Sequence, residues 1–111
     1  MDKLYILWTT ADEVMFDKMI AMYARTGIAQ NWWYEITIII WGSTARLAAE
    51  SELISLKIKE LLHVGVKVSA CKACSDSIGV SEKLIEMGIE VKYWGEGLTE
   101  ILKSNQKMLT L

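Results

Sequence analysis

The sequence predicts a three-layer α/β/α sandwich built on a mostly parallel, five-stranded sheet, a flavodoxin-like architecture. The first observation behind this prediction is that apolar runs of strand length alternate with amphipathic stretches of helical length. The second is the run Ile36 to Trp41, whose consecutive isoleucines are typical of a strand that is buried on both faces. The third is a glycine after several helical stretches, where a helix ends most easily.

The first strand is predicted over the apolar run Lys3 to Trp8. Thr10 lies three residues before Glu13, which is the spacing of a capping box, so a helix is expected to begin there. Methionines and other apolar residues continue at helical intervals to about Arg25. Gly27 is expected to end this helix.

The second strand, Ile36 to Trp41, is followed by one long amphipathic helix and a third strand. From Ala48 to His63 the apolar residues repeat at helical spacing, with charged residues between them. Gly65 is expected to end this helix, and the apolar run Val66 to Ala70 is predicted to be the third strand.

The last third of the chain repeats the alternation in shorter elements. Ser81 is expected to cap a helix that runs through Met87 and ends at Gly88. The remaining predicted elements are a fourth strand from Ile89 to Trp94, a short helix from Thr99 to about Ser104 and a terminal strand from Lys107 to Leu111.

Length and composition favour one cytoplasmic domain, residues 1–111, with buried contacts between subunits. Hydrophobic residues make up 52% of the 111 positions, a surplus that predicts apolar surface between copies of the chain. The net charge of -2 and the lack of a basic block argue against nucleic acid and anionic membranes as partners. The apolar start of the chain breaks at Thr9, which is too early for a signal peptide or a membrane span.

The segment Asn31 to Tyr34 places three aromatic residues ahead of the second strand, at a position where the chain entering a sheet is usually exposed to solvent. A partner subunit could cover these side chains, or they could fold back onto the core. Either arrangement would remove apolar surface from water.

The residues that follow the strands are the candidates for a site, since ligands of parallel α/β sheets bind beyond the carboxyl ends of the strands. Three of the four predicted strand exits end in tryptophan. The exits predict a partly dry pocket beside a cysteine pair, lined by Trp8, Thr9, Trp41, Gly42, Ser43, Trp94 and Gly95. The alternative is that the tryptophans plug the edge of the sheet or an interface between subunits.

The cysteine pair, Cys71 and Cys74, follows the third predicted strand. Cys71 opens a predicted helical turn whose N–H groups favour a thiolate, as does the neighbouring Lys72, whereas Asp76 acts in the opposite direction. The alternative is that both thiols are small buried hydrophobic groups.

Other uses of a Cys-x-x-Cys pair fit this sequence less well. A thioredoxin-type dithiol is faced by a cis-proline, and this chain contains no proline. A structural zinc site needs four ligands, whereas the chain offers two cysteines and His63 alone, so no metal site is predicted. The sequence also lacks a phosphate-binding glycine loop, a Ser-His-Asp set and a dinucleotide fingerprint, so no cofactor is expected.

The segment Gly65 to Val80 resembles the cysteine region of the DsrE/DsrF-like sulfur-relay family. The similarity extends through Gly88 to Glu96 and to Met108 to Leu111, so it covers nearly the whole chain. In the relay subunits of that family the sulfur-carrying cysteine precedes a Gly-Val pair by about eight residues, a spacing that Cys71 matches. Cys74 has no counterpart in those subunits. The resemblance also implies homo- or hetero-oligomers, as trimers or hexamers.

This resemblance implies that Cys71 accepts sulfane sulfur as a persulfide from a donor protein or small thiol and passes it to a partner. The chain would then be a sulfur carrier or sulfurtransferase, with Cys74 able to attack the persulfide and release its sulfur. Trp8, Trp41 and Trp94 are expected to shield the persulfide. A dithiol redox switch is the first alternative, and a non-catalytic oligomeric binding module with structural cysteines is the second.

Overall fold

The sheet consists of five parallel strands in the order β4-β3-β2-β1-β5. A computed structural model describes residues 1–111. The strands are β1 (Lys3–Trp8), β2 (Glu35–Ile40), β3 (Lys67–Cys71), β4 (Glu90–Lys92) and β5 (Lys107–Thr110). With the helices described below, this sheet confirms the predicted α/β/α architecture. The bounds of β2 and β3 differ from the predicted spans by one residue at each end.

Seven α-helices and one π-helical segment connect the strands. The first connection contains α1 (Glu13–Met15), the π-helical segment Phe16–Ala21 and α2 (Met22–Ala29), which follow one another without a break. The later helices are α3 (Thr44–Glu50), α4 (Glu52–His63), α5 (Lys72–Ile78), α6 (Ser81–Glu86) and α7 (Gly95–Lys103). None of these helices combines the length and the apolar character that crossing a membrane requires.

The helices cover the two faces of the sheet unequally. From β1 to β4 each strand lies beside its predecessor, so right-handed crossovers place α1 through α6 on one face. The connection through α7 returns across the sheet from β4 to β5 and lies on the opposite face. The first face, here called the packed face, holds a cluster of 21 buried residues. The second, here called the open face, holds a cluster of three, Ile39, Trp94 and Ile101.

The pairing register decides which strand residues share the open face. Tyr5, Thr37 and Lys67 are neighbours across β1, β2 and β3, and they therefore point to the same side. Ser69 lies two residues after Lys67 in β3, so it points to the same side, and it is paired with Glu90 of β4. The open face thus carries a polar row that the packed face lacks.

The first helix begins and ends at residues other than those predicted. Asp12, and not Thr10, is its N-cap, since the Asp12 carboxylate accepts a hydrogen bond from the N–H of Met15 at 3.0 Å. The helix also continues past Gly27 to the end of α2. Gly27 serves close packing, because a Cβ there would lie 3.1 Å from Cδ1 of Ile36.

The single helix predicted from Ala48 to His63 is two helices separated at Ser51. The backbone of Ser51 is extended (φ −83°, ψ 120°), and its hydroxyl accepts a hydrogen bond from the N–H of Ile54 at 3.1 Å. The same hydroxyl donates to the carboxylate of Glu13. Ser51 therefore caps α4 and ties it to the first helix, while the apolar period continues across the break.

The fourth strand and the helix after it also differ from the prediction. The pairing of β4 stops at Lys92, before the predicted end at Trp94, and α7 begins at Gly95 instead of Thr99. The reason is the packing of the Trp94 side chain, which is buried against Ile39 on the open face. Trp94 thus joins the small core beneath α7 and does not extend the strand.

Candidate functional site

Cys71 is the last residue of β3 and directly precedes α5. Its side chain follows the alternation of the strand and lies on the open face with Ser69. Only 4% of Cys71 is exposed. The backbone carbonyl of Cys71 accepts a hydrogen bond from the hydroxyl of Ser75 at 2.8 Å, and Ser75 is itself fully buried. This bond holds the end of the strand against the first turn of α5.

Cys74 lies in the first turn of α5 and is half-buried, and both cysteines are free thiols. Burial raises the pKa of Cys74, and a hydrogen bond with the Cys71 thiol raises it further. The backbone N–H of Gly42 interacts with the Cys74 sulfur and acts in the opposite direction. Cys74 therefore keeps its proton more firmly than an ordinary thiol does.

Gly42 reaches the thiol pair from the end of β2. Its backbone has a φ of +73°, a conformation that favours glycine, and no atom would lie within 4 Å of a Cβ there. The backbone N–H of Gly42 thus lies beside the Cys74 sulfur, and the space above Gly42 is open. Ser43, which follows, is exposed and precedes α3.

Thr44 is a site residue that the sequence analysis missed. Its buried hydroxyl accepts a hydrogen bond from the N–H of Trp41 at 3.1 Å. The same hydroxyl lies 3.0 Å from the carbonyl oxygen of Trp8 and 2.9 Å from that of Trp41, the acceptors available to its single proton. Thr44 therefore ties the ends of β1 and β2 together. A small hydroxyl residue just after a strand exit is the signal that could have identified it.

Lys72 was predicted to favour a thiolate, but its ammonium pairs with the Asp76 carboxylate at 2.8 Å. This hydrogen bond raises the pKa of Lys72 and lowers the pKa of Asp76. The ammonium also lies 5.7 Å from the ring centre of Tyr93. Asp76 accepts a second hydrogen bond from the hydroxyl of Ser81, which consequently does not cap α6 as predicted. The charge of Lys72 is thus paired within α5, with a carboxylate one helical turn further along the chain.

The three tryptophans at the strand ends do not form one shield. Trp8 is fully buried on the packed face, where its ring centre lies 4.4 Å from that of Phe16. Trp41 and Trp94 belong to the open face, where both pack against the cluster that contains Ile39. The prediction of one pocket lined by all three is therefore wrong for Trp8, because strand alternation turns its side chain to the other side of the sheet.

The remaining predicted pocket residues have structural partners. The hydroxyl of Thr9 donates to the backbone carbonyl oxygen of Leu111 at 3.0 Å. Gly95 is the first residue of α7, and a Cβ there would meet nothing within 4 Å. By contrast, a Cβ on Gly97 would lie 2.9 Å from Cε3 of Trp94, so Gly97 is the glycine against which the indole packs.

Trp94 organises the polar groups next to Cys71. Its Nε1–H donates to the hydroxyl of Ser69 at 2.7 Å, and that hydroxyl donates to the Glu90 carboxylate at 2.8 Å. The ammonium of Lys92 lies 4.3 Å from the centre of the indole ring. Ser69, Glu90 and Lys92 were not predicted as site residues, because their proximity to Trp94 depends on the turn after β4.

The aromatic residues ahead of β2 are divided between the core and the surface. Trp33 is half-buried, and its Nε1–H donates to the hydroxyl of Tyr23 at 2.9 Å. Trp32 and Tyr34 are 56% and 63% exposed. These residues lie at the amino end of the strand, opposite to the thiol pair.

No three His, Cys, Asp or Glu side chains of the chain are grouped in a way that could hold a metal ion.

No protein-family model and no curated protein matches the chain. Among solved structures it is similar to BT1422, a conserved protein of unknown function from Bacteroides thetaiotaomicron, with 39% sequence identity and a TM-score of 0.97. That match covers 99% of this chain and 95% of the other.

Two more distant structures share the fold. MTH1491, a protein of unknown function from Methanobacterium thermoautotrophicum, is 17% identical with a TM-score of 0.81. The ychN protein from E. coli is 20% identical with a TM-score of 0.72, and both of these matches cover 100% of each chain. The similarity to BT1422 extends to the sequence over nearly the whole length of both proteins. The chain therefore belongs to the same family as the conserved Bacteroides thetaiotaomicron protein BT1422.

Proposed function

We propose that this chain is a sulfur-relay protein of the DsrE/DsrF-like type, which carries sulfane sulfur as a persulfide on Cys71. The observation that supports this best is the pair of free thiols, Cys71 and Cys74, which lie close together at the carboxyl end of β3. Ligand sites of parallel α/β sheets lie at this end. The resemblance of the segment Gly65 to Val80 to the cysteine region of that family supports the same assignment.

Loading of Cys71 requires no external oxidant. The Cys71 thiolate attacks the outer sulfur of a donor persulfide, R–S–SH, and a new S–S bond forms at Cys71 while the S–S bond of the donor breaks. The donor leaves as the thiolate R–S⁻ and takes up the proton that Cys71 gave up. One thiol and one persulfide are therefore consumed, and one thiol and one persulfide are produced.

The loaded Cys71 can lose its sulfur in two ways. A thiolate of an acceptor attacks the outer sulfur, which transfers the sulfur atom and restores the Cys71 thiol. Alternatively, the Cys74 thiolate attacks the inner sulfur, releases HS⁻ and leaves a Cys71–Cys74 disulfide, which an external dithiol must then reduce. The first route transfers sulfur, and the second discharges it as sulfide.

The environment of Cys74 favours the first route at neutral pH. Burial raises the pKa of Cys74, so the thiolate that would attack the inner sulfur is scarce below the usual range of thiol ionisation. At neutral pH the internal attack by Cys74 is therefore disfavoured relative to transfer of the sulfur to an acceptor. We expect release of sulfide from the loaded protein to rise with pH as Cys74 ionises, and the Cys74→Ser variant to lack this rise.

Intact-mass spectrometry after incubation with cysteine persulfide tests the proposal. A small donor is chosen because Cys71 is almost buried. The wild type should gain the mass of one sulfur atom, and treatment with a dithiol should remove it. Cys71→Ser should gain none, whereas the matched variant Cys74→Ser should load normally. An unmodified wild type would contradict the proposal, and loading that survives in Cys71→Ser but not in Cys74→Ser would move the carrier role to Cys74.

A dithiol redox switch is the second candidate function, and the proximity of two free thiols at the start of α5 supports it. Oxidation of Cys71 and Cys74 would remove two electrons and two protons and close a disulfide within one helical turn. A redox titration in glutathione buffers, read by alkylation of the free thiols, should then show a single two-electron transition. If no transition occurs between fully reducing and fully oxidising buffer, this function is excluded.

We propose further that the protein acts in the cytoplasm as a homo-oligomer, a trimer or hexamer, that exchanges sulfur with donor and acceptor proteins or small thiols. The exposed Trp32 and Tyr34 side chains support contact between subunits, since large apolar groups of this kind are enriched in interfaces. Light scattering coupled to size-exclusion chromatography should give the mass of a trimer or hexamer, and the double variant Trp32→Ser, Tyr34→Ser should shift it towards the monomer. A wild type that elutes at the monomer mass would refute the assembly.

A further inference from the structure

The turn between β2 and α3 brings a backbone peptide unit to the thiol pair. Strands β2 and β3 are neighbours in which Ile40 is paired with Ala70, and both strands end within one residue of that pair. Gly42 follows the end of β2, and Cys74 lies in the first turn of α5, so both residues lie beyond the same edge of the sheet. The N–H of Gly42 lies beside the Cys74 sulfur there.

The carbonyl of Trp41 decides the direction of the Gly42 N–H, because the two groups belong to one peptide unit. In a planar trans peptide the C=O and the N–H point in opposite directions, and the chain contains no cis peptide bond. The Trp41 carbonyl oxygen lies 2.9 Å from the hydroxyl of Thr44. The carbonyl therefore points to Thr44, and the N–H points away from it, towards the thiol pair.

Thr44 anchors this peptide unit from inside the protein. Its side chain is fully buried, and its hydroxyl also accepts the N–H of Trp41 at 3.1 Å and lies 3.0 Å from the Trp8 carbonyl oxygen. On the other side of Gly42, the N–H of Ala45 donates to the Gly42 carbonyl at 3.1 Å. Because Thr44 is buried, water cannot readily replace its hydroxyl as the partner of Trp41.

No charged side chain takes the place of the Gly42 N–H. The ionisable group that acts on Cys74 is the neighbouring Cys71 thiol. Lys72, in the same helix, is paired with Asp76 at 2.8 Å. The charged residues of α3, α6, β3 and β4, the elements that pack against α5, are all exposed to solvent. The backbone N–H is thus the fixed polar group that faces the Cys74 sulfur.

We propose that Thr44 is a positioning residue of the thiol pair: its hydroxyl, bonded to the Trp41 carbonyl, keeps the Gly42 N–H directed at the Cys74 sulfur. An N–H in this place stabilises the sulfur once it is ionised, so Thr44 acts on the reactivity of Cys74 through Gly42. The consequence for sulfur transfer rests on the proposed function, in which this N–H sets how readily Cys74 discharges a loaded Cys71 as sulfide.

The pH dependence of Cys74 alkylation by iodoacetamide tests the positioning without a sulfur donor. The full-length Cys71→Ser variant is the parent, so that one thiol reacts. Adding Thr44→Val keeps the shape of the side chain and removes the hydroxyl. The midpoint of the pH profile should rise by about half a unit to one unit, because a misdirected N–H stabilises the thiolate less. Alkylation below the midpoint should then slow about threefold to tenfold.

A conservative variant and a matched control separate positioning from a general loss of packing. Thr44→Ser keeps the hydroxyl and should keep the midpoint of the parent. Thr37→Val makes the same change at another buried threonine, near the start of β2, and should also leave the midpoint unchanged. An unchanged midpoint in Thr44→Val, or an equal rise in Thr44→Ser or Thr37→Val, would overturn the proposal.

The amide of Gly42 offers a second test that does not need Thr44→Val to fold. In NMR spectra of Cys71→Ser, the Gly42 amide proton should shift with pH, with the same midpoint as the alkylation of Cys74. Adding Cys74→Ser should abolish this shift. A Gly42 amide that does not follow the ionisation of Cys74 would overturn the proposal. A wild type that takes up no sulfur would instead contradict the proposed function and leave both of these results unaffected.

Discussion

The two faces of the sheet perform different tasks, and the difference begins with how much protein covers them. Six helices lie on the packed face, over a cluster of 21 buried residues. A single helix of nine residues, α7, lies on the open face over a cluster of three. Apolar burial is the main favourable term in folding, so most of the stability should reside on the packed face.

The open face instead collects the groups that can react or bind. Cys71 and the chain of hydrogen bonds from Trp94 through Ser69 to Glu90 lie there. Such groups need access to ligand, which a second complete layer of helices would deny. The comparison teaches that this fold places its large apolar core and its row of polar strand residues on opposite sides of one sheet.

Neighbouring residues of β2 offer the largest expected contrast between the faces. Ile38 is fully buried on the packed face, and Thr37 beside it lies on the open face. Ile38→Ala should lower the free energy of unfolding by about 2 to 5 kcal/mol, because it removes buried methylene groups and leaves a cavity. Thr37→Ala should cost about 1 kcal/mol or less, since its hydroxyl has no partner to lose.

Urea denaturation of the two variants, followed by circular dichroism, measures this contrast directly. Both substitutions lie on the same central strand, so loss of strand propensity affects them alike. Equal destabilisation by Ile38→Ala and Thr37→Ala would contradict the division of tasks between the faces.

Within the open face, the contact between Gly97 and the indole of Trp94 should be the most sensitive. A Cβ on Gly97 would lie 2.9 Å from the ring, so Gly97→Ala should lower the free energy of unfolding by about 1 to 3 kcal/mol through overpacking. Gly95→Ala, two residues earlier in the same helix, meets nothing within 4 Å and should be neutral or stabilising by up to about 1 kcal/mol. Thermal unfolding of both variants distinguishes them, and a destabilised Gly95→Ala beside an unaffected Gly97→Ala would show that α7 does not rest on the indole.

Periodicity along the sequence predicted the alternation of strands and helices, because the apolar pattern that identifies each element lies within the residues of that element. It did not predict the break at Ser51, since the cap that separates α3 from α4 lies within an unbroken apolar period. The site shows the same limit. The spacing of Cys71 and Cys74 placed the two thiols together, whereas the Gly42 N–H that reaches Cys74 comes from another strand.

The tryptophans show why the face of a residue is harder to predict than its element. Trp8 and Trp94 both end predicted strands, and the sequence pattern does not distinguish them. Strand order decides that α7 crosses the opposite face, and the turn after β4 decides that Trp94 lies beneath it. Neither is encoded in the local pattern around Trp94.

The smallest expected effect concerns Glu35, a charged residue on the open face. A hydrogen bond from Lys67 lowers the pKa of Glu35 in the folded protein, so the ionised carboxylate stabilises the fold above the ordinary glutamate pKa, and this contribution disappears as pH falls through the lowered value. Glu35→Gln should therefore be less stable than the wild type at neutral pH, by under about 1 kcal/mol for a pair so open to solvent. The difference should vanish in acid and shrink in salt, whereas Glu86→Gln, an exposed control on α6, should show neither trend in urea denaturation from neutral to acidic pH. A deficit in Glu35→Gln that stays constant across this pH range would mean that shape, and not charge, is what Glu35 supplies to the open face.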